Sequence, residues 1–400
     1  MTALARSFLV KYWGAATLTL LLAIFVGWLS FYRLQSLSPN LNSNEIATIS
    51  QSQHLKQILN NPVNAPYKLL QFVIQHYTNH TIFLERLVSV VVGLLILGTF
   101  YLVLRMRYRY YVAVFGCALL GSSTWFLYTA RLATADITLM GIIILIWVGQ
   151  LLNQAKHEML VTFFAVLICG SLLYVPGMFW FLLFGFLWQQ SFLTRLLDSL
   201  AAWFRVLVVF LGVGLVTPLC YAAVHKPMLL ESIAGLPSHF LSPFSYARNL
   251  LEVPTNLFLR GPGNPSQWLG RLPVLDVFIT VMFALGLYCY WVQRRLDFPK
   301  LVVGALIVGT ILISSGGPLM ITVLLPLVYL VAAGGIAELL QEWFGVFPRN
   351  PLARAVGVGL LTIAVIAAGY YQSFRYFVAW PDSTKILSIT QNKIEQSSET

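Results

Sequence analysis

Long charge-free apolar runs dominate the chain. They cover residues 13–32, 87–104, 110–130, 137–155, 206–224, 277–293 and 355–374. A bilayer core of about 30 Å takes about 20 such residues of helix. Two further runs, 159–194 and 301–337, would each reach more than about 50 Å as a single helix. Each has a breaker at its middle, Val175-Pro176-Gly177 in the first and Ser314-Ser315-Gly316-Gly317-Pro318 in the second. Both read as helical hairpins, which brings the count to eleven spans.

Between the runs lie three stretches of a different pattern: 33–85, 225–272 and 375–400. In 45–60, Ile46, Ile49, Leu55, Ile58 and Leu59 recur at near-helical spacing among polar residues. Residues 66–84 repeat the pattern with Leu69, Leu70, Phe72, Val73, Ile74 and Tyr77. Such segments predict amphipathic helices on the membrane surface, not spans. Residues 225–272 are a long loop rich in Pro, Gly, Ser and aromatics, with a turn at Gly261-Pro262-Gly263-Asn264-Pro265. Residues 381–400 form a polar tail. The chain therefore reads as one all-α polytopic membrane domain over 1–400, with amphipathic juxtamembrane helices in its first outer loop.

Composition agrees with the pattern. The 400 residues are 58% hydrophobic and only 10% charged, whereas soluble domains carry about 25% charge. That excludes a soluble enzyme, a disordered chain and a disulfide scaffold. Cys117, Cys169, Cys220 and Cys289 sit inside apolar runs and read as small buried side chains. The net charge of +11 calls for no nucleic-acid partner. Lysine and arginine hold short loops against an anionic inner leaflet.

Charge sidedness orients the spans. With the N-terminus cytoplasmic, the inner segments hold Arg6, Lys11, Arg105, Arg107, Arg109, Lys156, Arg195, Arg205, Arg294, Arg295, Lys300, Arg349 and Arg354. Five acids join these 13 basic residues: Glu158, Asp198, Asp297, Glu338 and Glu342. An odd number of spans then leaves the C-terminus extracytoplasmic. The first run, anchored by Trp13, Trp28 and Tyr32, is too long for a signal peptide.

A few charges are required by neither topology nor solvation. Asp136 follows Ala130-Arg131-Leu132-Ala133-Thr134-Ala135 at the outer end of the fourth run, where an ionised carboxylate is costly unless paired or wet. It reads as a helix cap near an interfacial arginine, or as a site residue. Arg131 is placed to pair with it or with a ligand phosphate. Glu45, in Asn44-Glu45-Ile46, reads locally as a first-turn acid complementing the helix dipole. Arg86 reads as a snorkelling anchor. His54, His76 and His80 share a loop, but their spacing fits no metal-ligand set. Asn79-His80-Thr81 matches a glycosylation sequon, a triplet common by chance.

The order of these features resembles the polytopic GT-C glycosyltransferases, in particular the branch with protein O-mannosyltransferases and lipid A aminoarabinose transferases. One span leads into an outer loop with an acidic motif. A proline segment, Asn64-Ala65-Pro66-Tyr67, precedes Arg86-Leu87-Val88-Ser89, and Arg131 to Asp136 follow a basic inner loop. The likeness runs motif by motif over about residues 1–190. Beyond that it is general, including Leu324-Leu325-Pro326-Leu327. There are departures. The family's Asp-Glu pair is Asn44-Glu45 here, and an amide takes no proton at neutral pH. Lys68 follows the proline instead of preceding it, and no basic residue precedes the late Leu-Leu-Pro span.

The resemblance implies transfer of a sugar from a polyprenyl-phosphate donor to a glycan, lipid or protein acceptor on the extracytoplasmic face of the plasma (inner) membrane. It implies no cofactor and no divalent metal. It makes Glu45 the first candidate base and Asp136 the second. Asn44, Lys68, Arg86, Arg131, Arg248, Arg260 and Arg271 become candidates for holding the donor. Two alternatives stand beside it: a transporter or lipid flippase, and a non-catalytic polyprenyl-lipid binder. Transporters usually show half-chain symmetry and charges near the midplane, whereas these runs are free of charge.

Overall fold

The computed structural model describes residues 3–37, 41–77, 81–154, 158–239, 241–261 and 272–381. Among these every regular element is helical. Helix α1 (Ala3–Phe31) leads into three short helices, α2 (Ser43–Gln51), α3 (Leu55–Asn60) and α4 (Ala65–Tyr77). Next come α5 (Ile82–Arg107), α6 (Tyr110–Ser122) and α7 (Thr124–Arg131). A 3-10 stretch, Ala135–Gly141, opens α8 (Ile142–Gln154). Helices α9 (Glu158–Leu172), α10 (Met178–Trp188), α11 (Gln190–Ser199) and α12 (Ala202–His225) follow. After α13 (Pro227–Ala234) and α14 (Pro243–Phe258) come α15 (Val277–Val292), α16 (Asp297–Ser314) and α17 (Leu325–Val346). Last is α18 (Pro351–Phe374), extended by a π-helical turn, Arg375–Ala379.

Seven helical segments among the described residues are long and apolar enough to cross a membrane, and an eighth is added if α6 and α7 count as one bent span. The apolar parts of α9, α10 and α15 are shorter. These three are where the expectation of eleven spans exceeds the helices that qualify by length. The breaker at Val175-Pro176-Gly177 leaves 15 residues in α9 and 11 in α10. At about 1.5 Å per residue neither reaches about 30 Å alone. The second breaker falls as predicted, with Gly316 in the left-handed region between α16 and α17.

The segment between α1 and α5 also divides more finely than its pattern suggests. Residues 45–60 split into α2 and α3 at His54, whose backbone is extended. The second amphipathic helix stops at Tyr77, and Thr81 caps α5 by accepting from the Leu84 N–H. Ile82, Phe83 and Leu84 therefore belong to the second span, and Arg86 lies inside its first turns. In 225–272 two proline-led helices form, α13 and α14. The Pro262–Pro265 part of the predicted turn, Arg271, Asn79, His80 and the tail after Pro381 lie outside the described residues.

Helix α17 is the most buried candidate span, while α1 and α12 turn large apolar side chains outward. The core is built on a close crossing of α15 and α17. A Cβ on Gly286 would fall on the Val331 carbonyl, and one on Gly335 on the Met282 carbonyl. Small residues allow such approach where lipid supplies no hydrophobic drive between helices. Cys117 and Cys289 are buried as expected, but Cys220 is exposed on α12 and Cys169 is half-buried. Apolar runs do not distinguish a core-facing thiol from a lipid-facing one.

The starts of α7 and α15 and the end of α18 are tied by one polar chain. Asp276 caps α15 at the Ile279 N–H (2.9 Å). Its other oxygen accepts from Gln372 (3.1 Å). The Gln372 amide oxygen accepts from the Thr124 hydroxyl (2.7 Å).

Candidate functional site

The first turns of α5 gather the elements around them. Glu85 and Arg86 are adjacent on a helix, so they point about 100° apart and reach different partners. Glu85 Oε2 accepts from the side-chain amides of Gln71 and Gln75 on α4. Arg86 turns to α2 and to the end of α1. Its Nε donates to Glu45 Oε1 (2.9 Å), one terminal nitrogen to Glu45 Oε2 (3.2 Å), and the other to the Leu34 carbonyl (3.0 Å). One turn on, the Ser89 hydroxyl bonds the Tyr67 hydroxyl (2.7 Å) and donates to the Thr134 carbonyl (3.2 Å).

Glu45 is wholly buried, and its carboxylate is fully engaged. Besides Arg86, Oε1 accepts from the Ala133 N–H (2.9 Å) and Oε2 from the Asn42 N–H (2.9 Å). The Asn42 side chain returns a bond to the Glu45 N–H (2.8 Å), which completes a capping box. The cap is thus Asn42, and Asn44 is exposed on the outer face of α2. Two donors fall on each oxygen, so no lone-pair position is left for a reacting hydroxyl.

Arg131 does not meet Asp136. The extended residues after α7 carry Asp136 away, and the guanidinium turns to the C-terminal end of α1. It donates to the carbonyls of Leu29 (3.0 Å) and Tyr32 (2.5 Å), satisfying groups a helix end leaves orphaned. It also lies over the rings of Phe377 (4.7 Å) and Tyr376 (5.2 Å). Its Nε is buried without a hydrogen-bond partner.

Asp136 is half-buried in the 3-10 stretch and accepts from the Thr134 hydroxyl at 3.0 Å. It makes no ion pair among the described residues. Two residues on, the Thr138 hydroxyl donates to the Asn64 side chain (3.3 Å). Asn64 sits in the left-handed region and its N–H donates to the Tyr174 carbonyl (2.8 Å). The Asn64 carbonyl then accepts from the Lys68 N–H (3.0 Å). This chain holds the start of α4 against the segment that carries Asp136.

Lys68 is buried, and its ammonium donates to the Asn61 carbonyl (3.1 Å). No carboxylate pairs with it among the described residues. Burial pulls its pKa down to about 8. Burial also raises the neighbouring Tyr67 phenol, and the charges of Asp136, Glu45 and Glu85 raise it further.

Two other arginines predicted for the site stand apart from this cluster. Arg248 is exposed and pairs with Glu252 one turn along α14 (3.1 Å). Arg260 is exposed beyond the end of α14. Gln71, Gln75 and the role of Glu85 were not among the candidates drawn from the sequence. The available signal was two amides four residues apart on α4, which share one helix face.

The chain has an all-α, multi-pass membrane fold. The particular likeness is to ArnT from Cupriavidus metallidurans. Its crystal structure bound to undecaprenyl phosphate is 14% identical, with a TM-score of 0.53 over 91% of this chain and 75% of that one. The apo structure of the same protein, also 14% identical, gives a TM-score of 0.50 over 92% and 76%. No protein-family model matches the chain. No curated protein sequence matches it either.

Proposed function

We propose that the chain is a GT-C-type glycosyltransferase. It moves a sugar from a polyprenyl-phosphate donor to an acceptor on the extracytoplasmic face of the plasma (inner) membrane. The observation that carries this reading is a shared structural frame for two unpaired charges. Asp136, a carboxylate without a cation, and Lys68, a buried cation without a carboxylate, are held to one frame by Asn64 and Thr138. The ArnT structure with bound undecaprenyl phosphate supports the choice of donor, because the two chains share a fold.

In this reaction the acceptor hydroxyl attacks the anomeric carbon of the donor. The bond from that carbon to the phosphate oxygen breaks, polyprenyl phosphate leaves, and the hydroxyl proton passes to a carboxylate. Asp136 takes that proton, since it has lone pairs free for a hydroxyl. Lys68 holds the phosphate as its charge grows on leaving, in surroundings where water is scarce and a fixed cation counts for most. Glu45, the first candidate on sequence, becomes a positioning residue that fixes Arg86 and the Ala133 amide. Arg86 and Arg131 hold the end of α1 and the 131–134 segment. No metal is needed in this scheme.

The test is to incubate the purified protein with a panel of polyprenyl-phosphate sugars and a mixed acceptor fraction, and to measure released polyprenyl phosphate. Release from one donor class is the expected result. A lipid that crosses between leaflets of a proteoliposome with its sugar intact would favour the flippase alternative.

A further inference from the structure

The end of the bundle opposite Asp136 holds a second polar site. Helix α5 connects the two ends, with Arg86 near its start and Arg107 in its last turn. The 21 helical steps from one to the other span about 32 Å. Around Arg107 lies a pocket of about 530 Å³, walled also by Gln150, Asn153, Gln189, Arg195 and Asp297. Arg107 stacks on the Phe298 ring (4.2 Å) and Arg195 Nε donates to the Ser191 carbonyl (2.9 Å). Neither arginine pairs with an acid among the described residues, while Asp297 already lies 3.9 Å from Lys300. The pocket is left with net positive charge.

Gln150 shows what the pocket lacks. It is only 4% exposed, and both its amide atoms are without a hydrogen-bond partner. A buried amide in that condition is costly, the more so in a membrane protein. It offers a donor and an acceptor to whatever fills the pocket.

The pocket adjoins an apolar groove of about 470 Å³ between α8, α9, α10, α12 and α16, lined by Leu145, Cys169, Phe181 and Leu215. Ile146, Gln189 and Leu301 wall both spaces. Two cations and a buried amide thus stand beside an apolar groove. We propose that this pair of spaces binds a lipid with an anionic phosphate head. The head lies against Arg107, Arg195 and Gln150, and a hydrocarbon chain lies in the groove. A basic pocket between helices at a membrane surface selects an anionic headgroup, and the groove selects a lipid over a free phosphate. The site does not depend on the transferase reading, since it shares no residue with the Asp136 cluster.

The experiment is native mass spectrometry of the full chain purified in detergent. It is titrated with dioleoyl phosphatidic acid, with dioleoyl phosphatidylcholine or with inorganic phosphate. The wild type retains one more phosphatidic acid than the double variant Arg107→Gln/Arg195→Gln, and the two retain equal phosphatidylcholine. Gln150→Leu weakens that extra site about tenfold, the effect of losing the amide's bonds to a charged group. Both arginines are exposed, so the double variant keeps the wild-type melting temperature without added lipid. Arg195→Gln alone provides a milder check. Equal phosphatidic acid retention in wild type and variants overturns the proposal. So does an extra site that takes phosphatidylcholine equally well, or one that millimolar inorganic phosphate empties.

Discussion

Arg86 and Glu45 are separated by 41 residues and meet in a two-point ion pair, with contacts of 2.9 and 3.2 Å. Neither side chain is more than 2% exposed. The pair joins α2 to α5, and through the Ala133 amide and the Leu34 carbonyl it also fixes the 131–134 segment and the end of α1. It works as a clamp on the segments that follow α1 and α7.

A clamp of this kind fails badly when half of it is removed. Glu45→Gln leaves a buried guanidinium uncompensated, a loss of about 3–5 kcal/mol in buried pairs. Thermal unfolding in detergent should show a clear fall in Tm for Glu45→Gln and for Arg86→Met. The double variant should fall by less than the sum of the two. Additive losses would mean that the pair does not act as a unit.

Lys68 predicts two opposite responses to pH. Its folded pKa of about 8 lies below its ordinary value of 10.5. Between those values the unfolded chain binds the extra proton, so stability of the ligand-free protein rises as pH increases through 8. Below about 8 the buried ammonium is charged, and there it attracts phosphate. Affinity for polyprenyl phosphate should therefore fall over the window in which stability rises. Lys68→Met should remove both trends, measured by melting and by lipid binding from pH 6.5 to pH 9.5, a range chosen to bracket about 8.

The α15–α17 crossing predicts a graded set of glycine variants. Gly286→Ala and Gly335→Ala each place a methyl on a facing carbonyl, and such overpacking costs about 1–3 kcal/mol. Gly345→Ala, with open space around its Cβ, should hold or raise stability by about 0.5–1 kcal/mol. Melting temperatures of the three variants check the order.

Much of the fold was legible because it depends on local composition. Apolar runs and their breakers mark where helices lie, and both long runs divide at the predicted residues. Helix lengths on either side of Pro176 were less legible, since a run shows apolar content but not where a turn consumes it. Lys68 came in only through the family resemblance, whereas Glu45, Arg86, Arg131 and Asp136 stood out as charges without an evident reason. Their pairing did not, because it depends on how α2 and α5 meet across 41 residues. That Asn42 caps α2 and receives Glu45 in a capping box is a matter of helix register. Arg131 and Asp136 are close in sequence, but an extended backbone between them sends their side chains to different neighbours.

The central claim is that Asp136 takes the proton from the acceptor. The direct measurement is release of polyprenyl phosphate by Asp136→Asn beside the wild type, on the donor that the wild type turns over. Asparagine keeps the size and the Thr134 contact but cannot accept a proton. The account predicts a fall of about 100-fold or more, with an unchanged melting temperature and unchanged affinity for polyprenyl phosphate. Release at the wild-type rate by Asp136→Asn would contradict it.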